Sequence, residues 1–570
     1  MFYWSIKAQK KKLLRKLPIL ERRIVQGLES AYSTKLFTGV CVTGLFLFAF
    51  FLDLYRLGEP GMWFDEAFSV ELAHQPFPVL LHIIFRPEPN MELYYFLLHF
   101  WLSFNSWLGV PPFEFIVRLP SALFAAIGTL VVFLLGKRFL GWGTGFLGAL
   151  LFVLNIQQLT YAQQARSYSL QLLLLCAGWY ALFSALTVKE KWSIRCWWGG
   201  YTILMLLAIY AHLFSVLILL AQIVAFIGIM LLPNAWRERV RSRWVGFFIS
   251  LCLIGIGCVF LLPAISDGDK TGWLPVPQWH DFYHLFDTIS GHDLAYLLVY
   301  TLLCATTIGL LILGWISSTY FVAVGNRRRW RNIVEHWLPS PQTWPIIWSL
   351  CCWLLLPIAT SYIISQTVLR LFSSRYLVTI VPPFLLLVSI CLTRMPPCHV
   401  RIRAISLSCH MRILAISLCL VFAIPPVSYY YAHAQIEDWN SATRWIQARY
   451  QDGDGLICYD SEPSQGCQIS VEYYLETYPT GAHFTDDTPG AFSWAQFGPA
   501  NPAEGSDSVL DPVVIARFAT QHKRFFYIVG RVPSQQAERK VQQVESWLAR
   551  DYHHISQLST PTVTVDLYTT

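Results

Sequence analysis

Hydrophobic residues along this chain fall in long runs, not in the alternating pattern of a soluble fold. A run of about 17–25 apolar residues can cross a bilayer as a helix. Such runs lie near residues 36–57, 118–136, 143–160, 168–187, 197–211, 213–232, 245–265, 294–323, 345–366, 376–393 and 412–432. The run at 143–160 is short, and 197–232 counts as two only with a tight turn near Tyr210-Ala211-His212. One more apolar stretch, Leu93 to Leu108, is expected to lie along or dip into the outer interface, which suits its Tyr94, Tyr95, Trp101 and Trp107. From about Gln435 the long runs stop. Leu456 to Tyr459, Phe525 to Val529 and Thr560 to Tyr568 read as strands, and Gln535 to Asp551 reads as an amphipathic helix.

The expected architecture is therefore an α-helical polytopic membrane protein of about eleven transmembrane helices with a small C-terminal α/β domain. Its parts are a basic arm at 1–35, a membrane domain at 36–432 whose first outer loop is 58–117, and a polar domain at 433–570. No internal repeat of fixed period is visible.

Composition agrees. The 570 residues are 55% hydrophobic and 14% charged, against about 25% charged in soluble domains. The net charge of +7 follows the membrane and does not mark a nucleic-acid surface. The arm carries Lys7, Lys10, Lys11, Lys12, Arg15, Lys16, Arg22 and Arg23, too long a basic stretch for the n-region of a cleavable signal. It reads as a cytoplasmic anchor on anionic lipid. Every second loop is basic again: Lys137-Arg138; Lys189, Lys191 and Arg195; Arg237, Arg239, Arg241 and Arg243; Arg327, Arg328, Arg329 and Arg331; Arg394, Arg401, Arg403 and Arg412. Positive loops stay inside, so the N-terminus is expected in the cytoplasm and the C-terminal domain outside. Were 93–108 to cross, every later basic loop would move outward.

Twelve of the fourteen cysteines lie in or beside apolar runs and read as small hydrophobes. Cys458 and Cys467 fall in the domain expected on the oxidising side, and the eight residues between them permit a disulfide.

This topology gathers the polar features at one face. They are Asp65-Glu66, the segment Arg86 to Glu92, the segment Tyr161 to Tyr168, His212, Trp273-Leu274-Pro275 and the segment Leu369 to Tyr376. Alone, an acid pair in a loop is a solvated pair, and arginines near span ends are snorkelling anchors. Together, at headgroup depth, they suit a lipid substrate. Arginines would hold a phosphate, and a carboxylate would take a proton from an incoming hydroxyl. Glu88 and Glu92 could line the acceptor path or bind a cation. Arg118 is expected to cap its span by pairing with Glu114, and Arg370 to anchor at the interface. His212, in its tight turn, reads either as a satisfied structural histidine or as a substrate contact.

Six segments, in order along residues 35–395, resemble the family 39 glycosyltransferases: WFDEAFSVELA, NMELYYFLLHFW, VRLPSALFAAIGTLVVFLLGKRFLG, YAQQARSYSL, YAHLFSVLILLAQ and SSRYLVTIVPPFLLL. That group includes the dolichyl-phosphate-mannose–protein mannosyltransferases and the bacterial aminoarabinose transferases, which have the GT-C fold. The resemblance implies a polyprenyl-phosphate-linked sugar donor, an acceptor hydroxyl on the outer face and inversion at the anomeric carbon. Under it Asp65 looks like the general base, Glu66 its acidic neighbour, and Arg166 and Arg375 the arginines near the donor phosphate. Glu88, Asn90, Glu92, Tyr168, His212 and Tyr376 are the candidate substrate-binding residues. Two segments depart from the family. It often has His-Pro-Pro-Leu-Tyr where this chain has Asn90-Met91-Glu92-Leu93-Tyr94, and Glu-Ala-Arg where it has Gln164-Ala165-Arg166. A divalent cation at Asp65 and Glu66 stays open, since Gln164 is a poorer cation ligand than a carboxylate.

The reading is an integral-membrane glycosyltransferase acting on a lipid, glycan or protein acceptor, with no nucleic-acid partner. One alternative is a flippase or exporter of a lipid-linked saccharide. Such a carrier would commonly show paired halves or charges within spans. Here the span centres lack Asp, Glu, Lys and Arg. The other alternative is a ligase or polymerase using a pyrophosphate-linked donor.

Overall fold

The computed structural model describes residues 35–86, 90–262, 271–272, 274–324, 342–394, 407–460, 466–500, 509–530, 532 and 535–570. The basic arm before Lys35, Glu88, Trp273 and the basic residues Arg327 to Arg331, Arg401 and Arg403 lie outside them.

Among the described residues, nine helices are long and apolar enough to cross a membrane. A tenth span is formed if Trp142–Val153 and Ile156–Ala162, bent by 61° at a short break, count as one. The bend has a local cause. The Asn155 side chain accepts the Gln157 amide and so caps a new helix, while its Nδ2 donates to the Ile289 carbonyl and the Tyr296 hydroxyl. The remaining expected run forms Ser215–Leu231, a 17-residue apolar helix at the short end of the spanning range. Leu253, Leu302 and Ile363 point outward from their spans, as apolar side chains do where the surrounding solvent is lipid. The protein is a multi-pass membrane protein.

Tight helix contacts rest on small residues. The helices Glu114–Phe139 and Trp142–Val153 cross at Gly136 and Gly145, where a Cβ on Gly145 would sit 2.3 Å from the Lys137 amide nitrogen. The stretch expected at the interface forms the helix Glu92–Trp107, which packs on the helix Phe64–His74.

The C-terminal part holds a four-stranded sheet ordered β1 (Gly455–Asp460), β4 (Arg524–Gly530), β6 (Val563–Thr569), β5 (His553–Ser559). β1 and β4 run parallel; β6 is antiparallel to both its neighbours. A two-stranded hairpin, β2 (Phe492–Ser493) with β3 (Gly498–Pro499), stands apart. The three expected strands and the helix Gln535–Asp551 all form. β5 and the helix Gly466–Thr477 did not stand out in the sequence. Cys458 on β1 and Cys467 in the helix are disulfide-bonded, with Cα atoms 5.8 Å apart. That helix packs directly against Phe64–His74, so the polar domain touches the segment that carries Asp65 and Glu66.

Candidate active site

Asp65 and Glu66 lie in the first turn of Phe64–His74, the end of a helix whose dipole favours negative charge. Adjacent positions on a helix face different ways, and the two acids have separate environments.

Glu66 is buried, with its side chain 1% exposed, and accepts bidentate hydrogen bonds from Arg118 Nε and Nη2 at 2.8 and 2.7 Å. Arg118 also donates to the carbonyls of Leu57, Pro60 and Gly61 at 3.0, 2.7 and 3.0 Å. All five N–H groups of the guanidinium are thus used to fold the loop before the helix. The expected Arg118–Glu114 pair is not formed. Glu114 instead accepts from the Tyr478 hydroxyl, and Arg118 turns inward because Glu66 and three carbonyls offer a complete acceptor set. Glu66 Oε1 also accepts the Ala165 amide at 2.7 Å, which ties the Gln164-Ala165-Arg166 segment to the acid loop.

Asp65 is the accessible acid, 19% exposed. Its Oδ2 lies 3.1 Å from Arg375 Nη1 and 3.9 Å from Arg166 Nη2. Arg166 Nη1 also donates to the Asp65 carbonyl and to Ser69 Oγ, at 3.0 and 3.1 Å. Arg375 lies over the Trp63 ring at 4.9 Å, a cation–π placement. Burial works most strongly against the Arg375 charge, but Asp65 together with Tyr168 and Tyr161 more than offsets it, and the guanidinium pKa is raised. Three residues from distant parts of the chain thus meet: Asp65, Arg166 and Arg375.

Aromatic rings extend from this point. Tyr161 and Tyr168 have centroids 4.4 Å apart, His212 lies 5.4 Å from Tyr168, and Tyr376 lies 5.1 Å from His212. His212 is buried in the expected turn, between Lys191–Ala211 and Ser215–Leu231. Burial, with the nearby Arg166 charge, pushes its imidazole down to about 3. The ring is therefore neutral. Nδ1 accepts the Phe214 amide at 3.2 Å, which assigns the proton to Nε2, and Nε2 has no hydrogen-bond partner among the described residues.

Asn90 is half-buried before the helix Glu92–Trp107. Glu92 is buried within electrostatic reach of Tyr210 and Cys258. Arg370 donates to the Ser365 carbonyl.

The polar domain completes the site in a way the sequence did not signal. Trp63 supplies no side-chain cap to Phe64–His74. Glu437 Oε2 accepts the Phe64 amide at 2.8 Å and the Trp439 indole N–H at 2.7 Å. The Tyr474 hydroxyl accepts the Met62 amide at 2.6 Å, and Gln435 Oε1 accepts the Gly61 amide at 2.7 Å.

No family model matches this sequence, and no curated protein matches it. Among solved structures, ArnT from Cupriavidus metallidurans in the apo state superposes with a TM-score of 0.56 at 12% identity, covering 94% of this chain and 98% of that one. The chain has the GT-C fold. ArnT bound to undecaprenyl phosphate covers the same shares at 12% identity and a TM-score of 0.53. Within this GT-C chain, the Asp65–Arg375–Arg166 constellation joins the helix Phe64–His74, which follows the first span, to the starts of the spans Tyr168–Thr187 and Tyr376–Thr393.

Proposed function

We propose that this protein transfers a glycosyl group from a polyprenyl-phosphate donor to an acceptor hydroxyl at the outer membrane face. The observation that carries the reading is one carboxylate oxygen, Asp65 Oδ2, placed between two guanidiniums at 3.1 and 3.9 Å. The bound undecaprenyl phosphate of ArnT, a protein of the same fold, supports the choice of donor class.

In the resting site the arginines neutralise Asp65. A donor phosphate offers them more negative charge and a bidentate partner, so its arrival would draw Arg375 and Arg166 off the carboxylate. Asp65 is then free to accept the acceptor's O–H proton as that oxygen attacks the anomeric carbon. The bond from that carbon to the phosphate oxygen breaks on the opposite face, which inverts the configuration. The leaving polyprenyl monophosphate keeps the bonding electron pair, and the guanidiniums counter its growing charge. Glu66 is a positioning residue in this scheme, because both its oxygens are committed to Arg118. Tyr168, His212 and Tyr376 would line the sugar, with His212 Nε2–H donating to one of its oxygens.

The donor set beside Asp65 does not suit a divalent cation. Glu66 has no free oxygen to offer, the neighbouring position is Gln164, and two cationic groups already face Asp65. No step is routed through a metal.

Incubating purified protein with polyprenyl-phosphate sugars labelled in the sugar tests the reading. Label should leave the carrier and appear on an acceptor with release of polyprenyl monophosphate. Label moved across a bilayer with its carrier bond intact would identify a flippase, and release only from pyrophosphate-linked donors would identify the ligase class.

A further inference from the structure

A second constellation lies on the helix His280–Ile289, outside the site above. His280, Asp281 and His284 each offer a ligand atom, and these atoms all lie within 4.8 Å of one another. We propose that they form a binding site for a divalent transition cation such as Zn2+.

The sequence order makes the cluster. His280 and His284 are four residues apart and share one helix face, the spacing by which paired histidines on a helix hold zinc. Their rings stand at 90° with centroids 5.4 Å apart. His280 Nε2 lies 3.4 Å from Asp281 Oδ1. Bonds of about 2.0–2.1 Å at tetrahedral angles put ligand atoms roughly 3.3 Å apart, so that pair already has the separation a cation imposes. The other pairs close by rotation of exposed side chains. Asp281 Oδ2 accepts the Gln278 amide at 2.6 Å, an outer contact that orients a ligating carboxylate. Two imidazoles and one carboxylate leave a fourth position open to water. The bland account is an ion pair between His280 and Asp281 at a helix start. It leaves His284 unexplained, because that imidazole makes no hydrogen bond among the described residues.

The placement gives the site a consequence. From the same helix, Phe282 packs on Tyr362 and Phe372, with centroids 4.8 and 5.4 Å away, and Trp279, which immediately precedes the helix, packs on Tyr362 at 5.4 Å. Gln366 Nε2 donates to the Pro277 carbonyl at 2.9 Å. Phe372 precedes Arg375 by three residues. A cation fixing the first turn of this helix would therefore stiffen the segment that presents Arg375.

The test is Zn2+ uptake by the full-length protein in detergent, by equilibrium dialysis with elemental analysis, for wild type and for His280→Ala/His284→Ala. Wild type should hold one more equivalent than the double variant. Its melting temperature should rise with Zn2+ while that of the variant does not. Asp281→Asn should bind about tenfold more weakly, as expected for loss of one ligating or orienting group. Lowering the pH should release the metal, since protons compete for the imidazoles. Equal uptake and equal melting shifts in wild type and double variant would overturn the proposal, as would loss of the extra equivalent from a variant that melts well below wild type in the absence of metal.

Discussion

Arg118 grips both carboxylate oxygens of Glu66, at 2.8 and 2.7 Å, across a sequence separation of 52 residues. The pair is 2% and 1% exposed and folds the loop from Leu57 to Gly61 around itself. Removing one partner of a buried ion pair leaves the other uncompensated, at about 3–5 kcal/mol. Glu66→Gln and Arg118→Met should each lower the melting temperature by many degrees and cut folded yield, and the double replacement should cost less than the two single ones combined. Wild-type melting for either single variant would contradict the role.

Arg375 and Arg166 should behave differently, because they share Asp65 and remain partly open. Arg375→Ala and Arg166→Ala should each reduce turnover by about 10–1000-fold, the loss of one donor to developing charge. Lys should restore part of it, supplying charge without the planar fork. Turnover measured under saturating donor separates this loss from weaker donor binding.

His212→Ala should leave folding nearly intact and raise the donor KM more than it lowers kcat, because the ring's Nε2 has no hydrogen-bond partner among the described residues and its Nδ1 serves only the Phe214 amide. His212→Asn, which keeps a donor, should recover part of the affinity. An unchanged KM in the alanine variant would return His212 to a structural role.

A pH effect is expected where the polar domain meets the acid-bearing helix. Glu472, on Gly466–Thr477, is raised from 4.5 to about 7, first by burial and then by Glu476. Glu71, on Phe64–His74, is also raised, by burial and by Glu476 and Glu472. A carboxyl whose folded value is raised binds its proton more readily folded than unfolded, so stability falls as pH rises from about 4.5 through about 7. Melting temperatures across this range should decline for wild type and flatten for Glu472→Gln. The same slope in both would exclude Glu472 as the source.

The membrane architecture was legible because hydrocarbon imposes both length and composition on each run. Every expected run forms a helix, although the 143–160 run breaks at Asn155 and Ser215–Leu231 is short. Asp65, Arg166 and Arg375 were legible as charged residues at span ends, yet their meeting on one carboxylate oxygen depends on the folded bundle. Arg118 was misassigned to Glu114 because a pair four residues apart on one helix is the local choice, whereas the structure offers a buried acid and three carbonyls. Glu437, Gln435 and Tyr474 carried no signal, since a remote cap leaves no spacing to read. β5, with its sequence HHISQLS, escaped because an exposed edge strand needs little apolar alternation.

The central claim is that Asp65 accepts the acceptor's proton once phosphate has drawn the arginines away. The most direct measurement is single-turnover transfer from a labelled polyprenyl-phosphate sugar by Asp65→Asn, with donor binding measured on the same preparation. The account predicts transfer slowed by about two to four orders of magnitude, with donor bound at least as tightly as in wild type because the arginines no longer have a competing carboxylate. Transfer at close to the wild-type rate, with donor bound, would contradict it.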